Sequence, residues 1–593
     1  MARLNLNNDV RVMKDRDLLK RAFIYIKPHA KSFIIAIIFM IAVIALELVG
    51  PYLSGKIVGM LKNHHNYRYI SVLALALGYL GCILSSLAFM YFERMILQKA
   101  GQRIVYQLRQ DVFAHIETLS PSQLNEVPIG KLVSRVTSDT NAINELFTNI
   151  LINLLKNILT LFGVLGIMFV LHAELALFMT ISVPLVLFFS YIFRYLSKKA
   201  YRNVRHEISA MNAFLNENLS GMKITQIFNQ EERKEKEFDE VNAKLVKARS
   251  KQNLVFTIFR PIVSFIYMSF IALLVYLSVE VFDLGESEVG IQIFWSFYEY
   301  VGRFFGPIQM LADQINGLQQ AFAASERLFL LLDTKPEIED EDDSIEITDL
   351  KGEIVFEHVW FAYNEGEWIL KDVSFKVNAK ETVAFVGATG SGKTTILSLI
   401  VRNYDIQKGH IYIDGIDVKK IKMKSLRRFV GQMLQDVFLF SGTIYSNLTL
   451  RDESYNLEQV KEASAYTGAN KFIEKLEHQY EEEVTEKGSN FSAGERQLLS
   501  FTRTILHSPK LMILDEATAN IDGETEVLIQ ESLEKMMNLG TMLIVAHRLS
   551  TIQHADNIIV LQDGQIIEQG NHQELLKNKG YYYNLYRLQF EKK

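Results

Sequence analysis

Apolar and polar positions change their spacing once along this chain, near residue 327. Before that point the apolar residues form long runs with polar residues at their ends. The first run, SFIIAIIFMIAVIALELVGPYL, covers 32–53, and others lie at about 69–92, 146–171, 174–193, 254–282 and 289–311. Each approaches the ~20 residues a helix needs to cross ~30 Å of hydrocarbon. Six in series predict a helical membrane domain over residues 1–327. Beyond it, short β-branched runs such as GEIVFEHVWFAY, ETVAFVG, LMILDEA and TMLIVAH alternate with helical stretches. That pattern predicts a soluble α/β domain over 351–593. The segment between, at 328–350, is acidic and lacks aromatics, which predicts a solvated linker.

Basic residues set the orientation. Arg11, Lys14, Arg16, Lys20, Arg21, Lys27 and Lys31 precede the first span, and residues 194–251 are rich in Lys and Arg. These flanks are expected in the cytosol, whereas the acidic DLGESEVG connection is expected outside. The two long cytosolic connections show helical spacing and few turn signals. The membrane helices are therefore expected to continue past the bilayer and meet at short turns, with LSPSQLNEVPIG (119–130) and NENLSGMKI (216–224) as candidates. The net charge of -5 over 593 residues gives no basic surface for nucleic acid. Cys82 is the only cysteine, so there is neither a disulfide framework nor a cysteine metal site. The N-terminus has no apolar core with a small-residue cleavage site, so no cleaved signal is expected.

Chemistry is concentrated in the second half. Gly387-Ala388-Thr389-Gly390-Ser391-Gly392-Lys393-Thr394, followed by Thr395, follows an apolar run and opens a helical one. This is the G-x-x-x-x-G-K-[ST] phosphate loop, whose backbone N–H groups cradle phosphate at a helix N-terminus. Lys393 is expected to reach the terminal phosphates and Thr394 to bind Mg²⁺. In KLMILDEATANID, Asp515 would hold Mg²⁺ through water and Glu516 would act as general base on the attacking water. Gln435 is placed to sense Mg²⁺ and the γ-phosphate, His547 to reach that phosphate, and Tyr363 to stack on adenine.

In this order, and with the stretch at 488–497 and the "NID" at 520–522, the chain resembles the ATP-binding cassette (ABC) transporters, specifically exporter half-transporters. TEKGSNFS (485–492) resembles their cross-domain loop. GKLVSRVTSDT (130–140) and ENLSGMKITQIFNQEER (217–233) resemble the segments around their coupling helices. The resemblance implies six transmembrane helices fused to a P-loop ATPase, a second half-transporter as partner, and ATP with Mg²⁺ as cofactors. It also implies that each ATP is held between one chain's phosphate loop and the other chain's signature. The usual signature is Leu-Ser-Gly-Gly-Gln; here it reads Phe491-Ser492-Ala493-Gly494-Glu495. Ser492 and the Gly494 backbone keep a γ-phosphate contact. Ala493 is expected to lose glycine's access to φ > 0, and Glu495 to turn a negative charge toward phosphate.

With Lys393, Asp515, Glu516 and His547 all present, this asymmetry implies a partner that carries a standard signature, as in heterodimeric bacterial multidrug exporters. The setting would be a bacterial plasma membrane, with the N-terminus and ATPase domain cytosolic. Hydrophobic or amphipathic small molecules are the expected cargo. Glu299, Arg303, Lys156 and Glu47, inside the spans, are candidates for lining its path. A lipid or glycolipid flippase, or an ATP-gated channel or sensor, would use the same parts.

Overall fold

In the computed structural model, which describes residues 13–62, 69–281, 284, 287–433, 437–515, 523–545 and 552–590, the chain forms two units. One holds the residues up to 118 together with 127–335; the other holds 119–126 and 336–593.

The first unit is helical. Its long elements are Ala30–Lys62, Tyr69–Thr118, Leu151–Leu171, Ser182–Ser220, Glu231–Tyr276 and Glu288–Leu332. Tyr69–Thr118 has 50 residues, about 75 Å of helix at 1.5 Å per residue, far more than a bilayer needs. Among the described residues four helices are long and apolar enough to cross a membrane: Asp15–Leu61, Tyr69–Thr118, Ile129–Leu171 and Glu231–Glu280. The apolar stretches at 174–193 and 289–311 lie within Ala173–Thr180 with Ser182–Ser220, and within Glu288–Leu332. Ile34, Ile38, Leu73, Leu77 and Leu84 are exposed, as side chains facing lipid would be, while Val164, Phe297, Tyr300, Val301 and Phe304 fill the interior.

The reversals fall at helix breakers. Tyr69–Thr118 stops just before Pro121, which opens the short helix Pro121–Glu126. Asn216 to Ser220 contain no breaker, and the helix runs on to Ser220. The second reversal therefore lies at 221–230, around Gly221 and Met222–Ile227, a few residues later than the spacing predicts. Asp139 fixes the third span's extension to the sixth helix. Its buried carboxylate accepts from Arg135 Nη1 at 2.8 Å and Arg327 Nη2 at 2.5 Å.

In the second unit, Thr382–Gly387 is the central strand of a six-stranded sheet. It is flanked in parallel by Thr541–Val545 and Asn557–Gln562. Leu511–Asp515 and then Val430–Met433 continue the sheet in parallel on one side, and Gln565–Gly570 closes the other edge antiparallel. Every residue from Thr382 to Val386 is buried, which explains a run that is apolar without alternation. A second, antiparallel sheet orders Trp368–Val377, Ile354–Ala362, Lys408–Ile413 and Ile416–Asp417.

The acidic segment after the sixth helix is not the solvated tether its charge predicts. Ile338 and Leu350 are buried, and Ile345 forms a β-bridge with Ile421. Its acidic side chains conceal a few apolar anchors at irregular spacing, which leave no periodic signal.

Candidate functional site

The parallel strands of the six-stranded sheet end along one edge. Crevices at such carboxyl ends, where helix N-termini converge, are where open α/β sheets bind ligands. Gly387 ends the central strand, and the loop 388–392 leads into the helix Lys393–Ile400. Gly390 (φ +84) and Gly392 (φ +100) adopt left-handed backbone, and a Cβ on Gly392 would sit 2.6 Å from Leu370. Glycine is required at that turn.

Ala388, Thr389 and Gly390 are exposed, whereas Ser391, Lys393 and Thr395 are buried. Lys393 Nζ donates to the Gly387 and Ala388 carbonyls, at 3.0 Å each, so the ammonium lies folded within its own loop. The Ser391 hydroxyl is buried and has no hydrogen-bond partner. An orphaned hydroxyl in a loop of glycines at a helix N-terminus fits a phosphate group, which would supply its missing partner.

Thr394 and Asp515 meet although 121 residues apart: Thr394 Oγ1 donates to Asp515 Oδ1 at 3.3 Å. A hydroxyl and a carboxylate side by side are hard oxygen donors suited to Mg²⁺ beside a polyphosphate. One residue on, Thr395 Oγ1 and the Tyr363 hydroxyl are 3.1 Å apart. Tyr363 is 41 % exposed, and its ring meets Phe361 and Tyr404 at near-right angles. Burial of its hydroxyl raises the pKa above the usual 10, while the Thr395 hydrogen bond opposes the shift. The phenol therefore stays neutral. Gln435, Glu516 and His547 lie outside the described residues. They follow the strands ending at Met433, Asp515 and Val545.

The 491–495 stretch differs from its expected geometry. Ser492 is the N-cap of the helix Ala493–Leu506, and Ala493 and Gly494 are its first helical residues. No left-handed backbone occurs at 493, so the alanine there is unstrained, contrary to the sequence-based expectation. Glu495 is turned back into a capping box. Its Oε2 accepts from Ser492 N–H at 2.8 Å, and its own N–H donates to Ser492 Oγ at 3.2 Å. Arg496 does not pair with this carboxylate; its Nη1 donates to the Phe491 carbonyl at 2.6 Å and shapes the preceding turn. Ser-x-x-Glu before an apolar run spells a capping box, and the sequence reading missed that signal.

Within the membrane unit, Pro51 interrupts the helix Ala30–Lys62. A proline lacks the N–H that would satisfy the carbonyl four residues earlier, here Glu47. Arg303 Nη1 donates to that carbonyl, Tyr300 Oη to Leu48 O at 2.6 Å, and Ser296 Oγ to Pro51 O at 3.0 Å. Glu299 accepts from Ser54 Oγ at 2.6 Å, and Lys156 Nζ lies 3.7 Å from Glu47 Oε1. Glu299 and Arg303 thus each engage the first membrane helix, and the sixth helix closes the polar gap Pro51 opens. The proline was the sequence signal for this and went unread. Arg303→Met would orphan the Glu47 carbonyl at a cost of about 1–3 kcal/mol. It should lower the midpoint of thermal unfolding in detergent, with Arg303→Lys recovering part of the loss.

Comparison with known proteins gives matches over nearly the whole chain. Residues 33–307 match the model of the ABC transporter transmembrane region, and residues 370–519 match a second model, described as ABC transporter. A "Probable multidrug resistance ABC transporter ATP-binding/permease protein YheH" of Bacillus subtilis is 38% identical over 86% of this chain and 76% of its own. An "ATP-dependent lipid A-core flippase" of Syntrophus aciditrophicus is 32% identical over 97% of this chain and 95% of its own. The solved structure of a bacterial Atm1-family ABC exporter with ATP bound is similar at a TM-score of 0.78 and 25% identity. That similarity covers 94% of this chain and 98% of the other.

Proposed function

The chain belongs to the ABC transporters, as an exporter-type half-transporter with its ATPase fused to its membrane helices, and from that premise we propose that it exports hydrophobic or amphipathic compounds as half of an unequal pair. ATP binding and hydrolysis drive the export. Lys393 would hold the triphosphate and Thr394 with Asp515 its Mg²⁺, which when bound would supply charge withdrawal from the transferred phosphoryl group. The family resemblance assigns Glu516 as the group that would take the proton of the attacking water, Gln435 and His547 as those that would act on the γ-phosphate, and Tyr363 as the ring that would stack on adenine.

One observation carries the unequal pairing: a carboxylate, Glu495, occupies the third position of the signature helix. Opposite a partner's phosphate loop, that helix would offer its N-terminal N–H groups and partial positive charge to the γ-phosphate. A glutamine there could cap Ser492 through its oxygen and leave its NH₂ free to donate. Glu495 caps equally well, but it presents a second anionic oxygen and offsets the helix's positive end. The phosphate site formed with this signature is thereby weakened, while the site built on Lys393, Asp515 and Glu516 awaits a standard signature from another chain.

Affinity purification of the tagged chain from native membranes tests the pairing. A second, different half-transporter should be recovered in about equal amount. Recovery of untagged copies of the same chain in its place would contradict it. The similarity to a lipid A-core flippase favours a second reading of the cargo, a lipid amphiphile, to be separated by transport assays with each class.

A further inference from the structure

Two clusters of polar contacts, two residues apart near the start of the segment after the sixth helix, have no part in the chemistry above. The first involves the turn 119–126. Gln123 is buried, and its Oε1 accepts from Ser120 N–H at 3.1 Å and from Glu337 N–H at 3.2 Å. Ser122 Oγ donates to Glu337 Oε2 at 2.8 Å. The turn is thus bonded to the segment at Glu337, two residues before the second cluster begins.

That second cluster surrounds Arg402, whose side chain is 2 % exposed and whose backbone is left-handed (φ +51). It lies just beyond the helix Lys393–Ile400 that the phosphate loop opens. Arg402 Nη2 donates to Glu339 O at 3.1 Å and Nη1 to Lys419 O at 3.2 Å, while Nε donates to Asp405 Oδ1 at 3.2 Å. The Asp340 carboxylate lies 3.6 Å from Nη1 and accepts Met423 N–H at 3.0 Å. Arg427 Nη2 in turn donates to Arg402 O at 3.0 Å. Downstream, the bridge from Ile345 N to Lys420 O at 2.8 Å, returned by Lys422 N to Ile345 O at 2.9 Å, holds the rest of the segment down.

A buried guanidinium that donates to three backbone carbonyls (those of Glu339, Lys419 and Ile421) and one carboxylate, with the Asp340 carboxylate ion-paired beside it, is a rigid joint. A glutamine that gathers N–H groups from both the turn and the segment is another. Only Ile338 separates Glu337 from Glu339, and that residue is itself buried.

We propose that residues 337–340 are a short strut, with Gln123–Glu337 and Glu339/Asp340–Arg402 as its joints and the remainder of the segment held down separately at Ile345. It carries displacement of the phosphate-loop helix to the turn 119–126. That turn is the covalent tip of the helix Tyr69–Thr118, so movement there is movement of a membrane helix. The proposal rests on the exporter reading and assigns Gln123, Glu337 and Arg402 as positioning residues for coupling, not for hydrolysis.

Hydrogen–deuterium exchange on the full chain in lipid nanodiscs, with and without MgATP, tests it. In the wild type, ATP should slow exchange at 387–395 and also at 119–126, by at least threefold in each. In Gln123→Ala the response at 387–395 should persist while that at 119–126 disappears, and in Glu337→Ala, which keeps its backbone N–H but loses the Ser122 bond, the response at 119–126 should fall. Glu337→Gln, which retains an acceptor for Ser122, should restore it. An undiminished response at 119–126 in both alanine variants would overturn the strut. So would equal loss at the two segments, which would make the residues mere supports of the phosphate loop. Absence of any response at 387–395 in the wild type would instead refute ATP binding at that loop.

Discussion

Lys393→Ala should reduce ATP hydrolysis at this chain's phosphate loop by about a hundredfold or more, without unfolding the domain. Removing one donor aimed at developing phosphate charge in a shielded site typically costs 10²–10³ in rate. Lys393 is poised for that role: buried, at the first turn of its helix, its ammonium resting on the Gly387 and Ala388 carbonyls. Losing those two bonds frees the carbonyls of the exposed Ala388 and the half-buried Gly387 at the loop's start, so the structural cost should be small. Steady-state phosphate release together with thermal unfolding of the purified transporter checks this. A loss of activity that tracks a loss of folded protein would contradict it.

Legibility in the sequence followed the regularity of each signal. Long apolar runs announced the membrane helices because lipid demands continuous apolarity. The phosphate loop could be read because glycines, lysine and threonine occur at fixed spacing between a strand and a helix. Less regular features were lost. The segment at 336–350 reads as solvated because five acidic residues from Glu337 to Asp342 obscure one buried isoleucine, and Arg402's joint to it depends on carbonyls that any residue carries. The polar network in the membrane was half legible. Glu299 and Arg303 stood out as charges in a span, but their partners are backbone carbonyls and a serine on another helix. Pro51 was the local clue, since a proline always orphans the carbonyl four residues earlier.

Glu495 shows how geometry reshapes a correct suspicion. The substitution was visible, and so was its charge; its mechanism was not. Backbone strain at Ala493 plays no part, because that residue is helical, and no cap is lost, because glutamate caps Ser492 well. What remains is charge. Two like charges at ~4 Å repel by roughly 1 kcal/mol in water and ~4 kcal/mol at an effective dielectric of 20. That interval spans about fivefold to a thousandfold in binding of the opposed phosphate. Reverting the stretch with Ala493→Gly and Glu495→Gln should therefore repair sites formed between two copies of this chain, where each phosphate loop is already complete. The decisive measurement is the steady-state ATPase rate of the purified chain alone, wild type against this double revertant, in the same lipid. An unequal-pair half-transporter predicts a slow wild type and a revertant faster by tenfold or more; equal, robust rates for the two would contradict it.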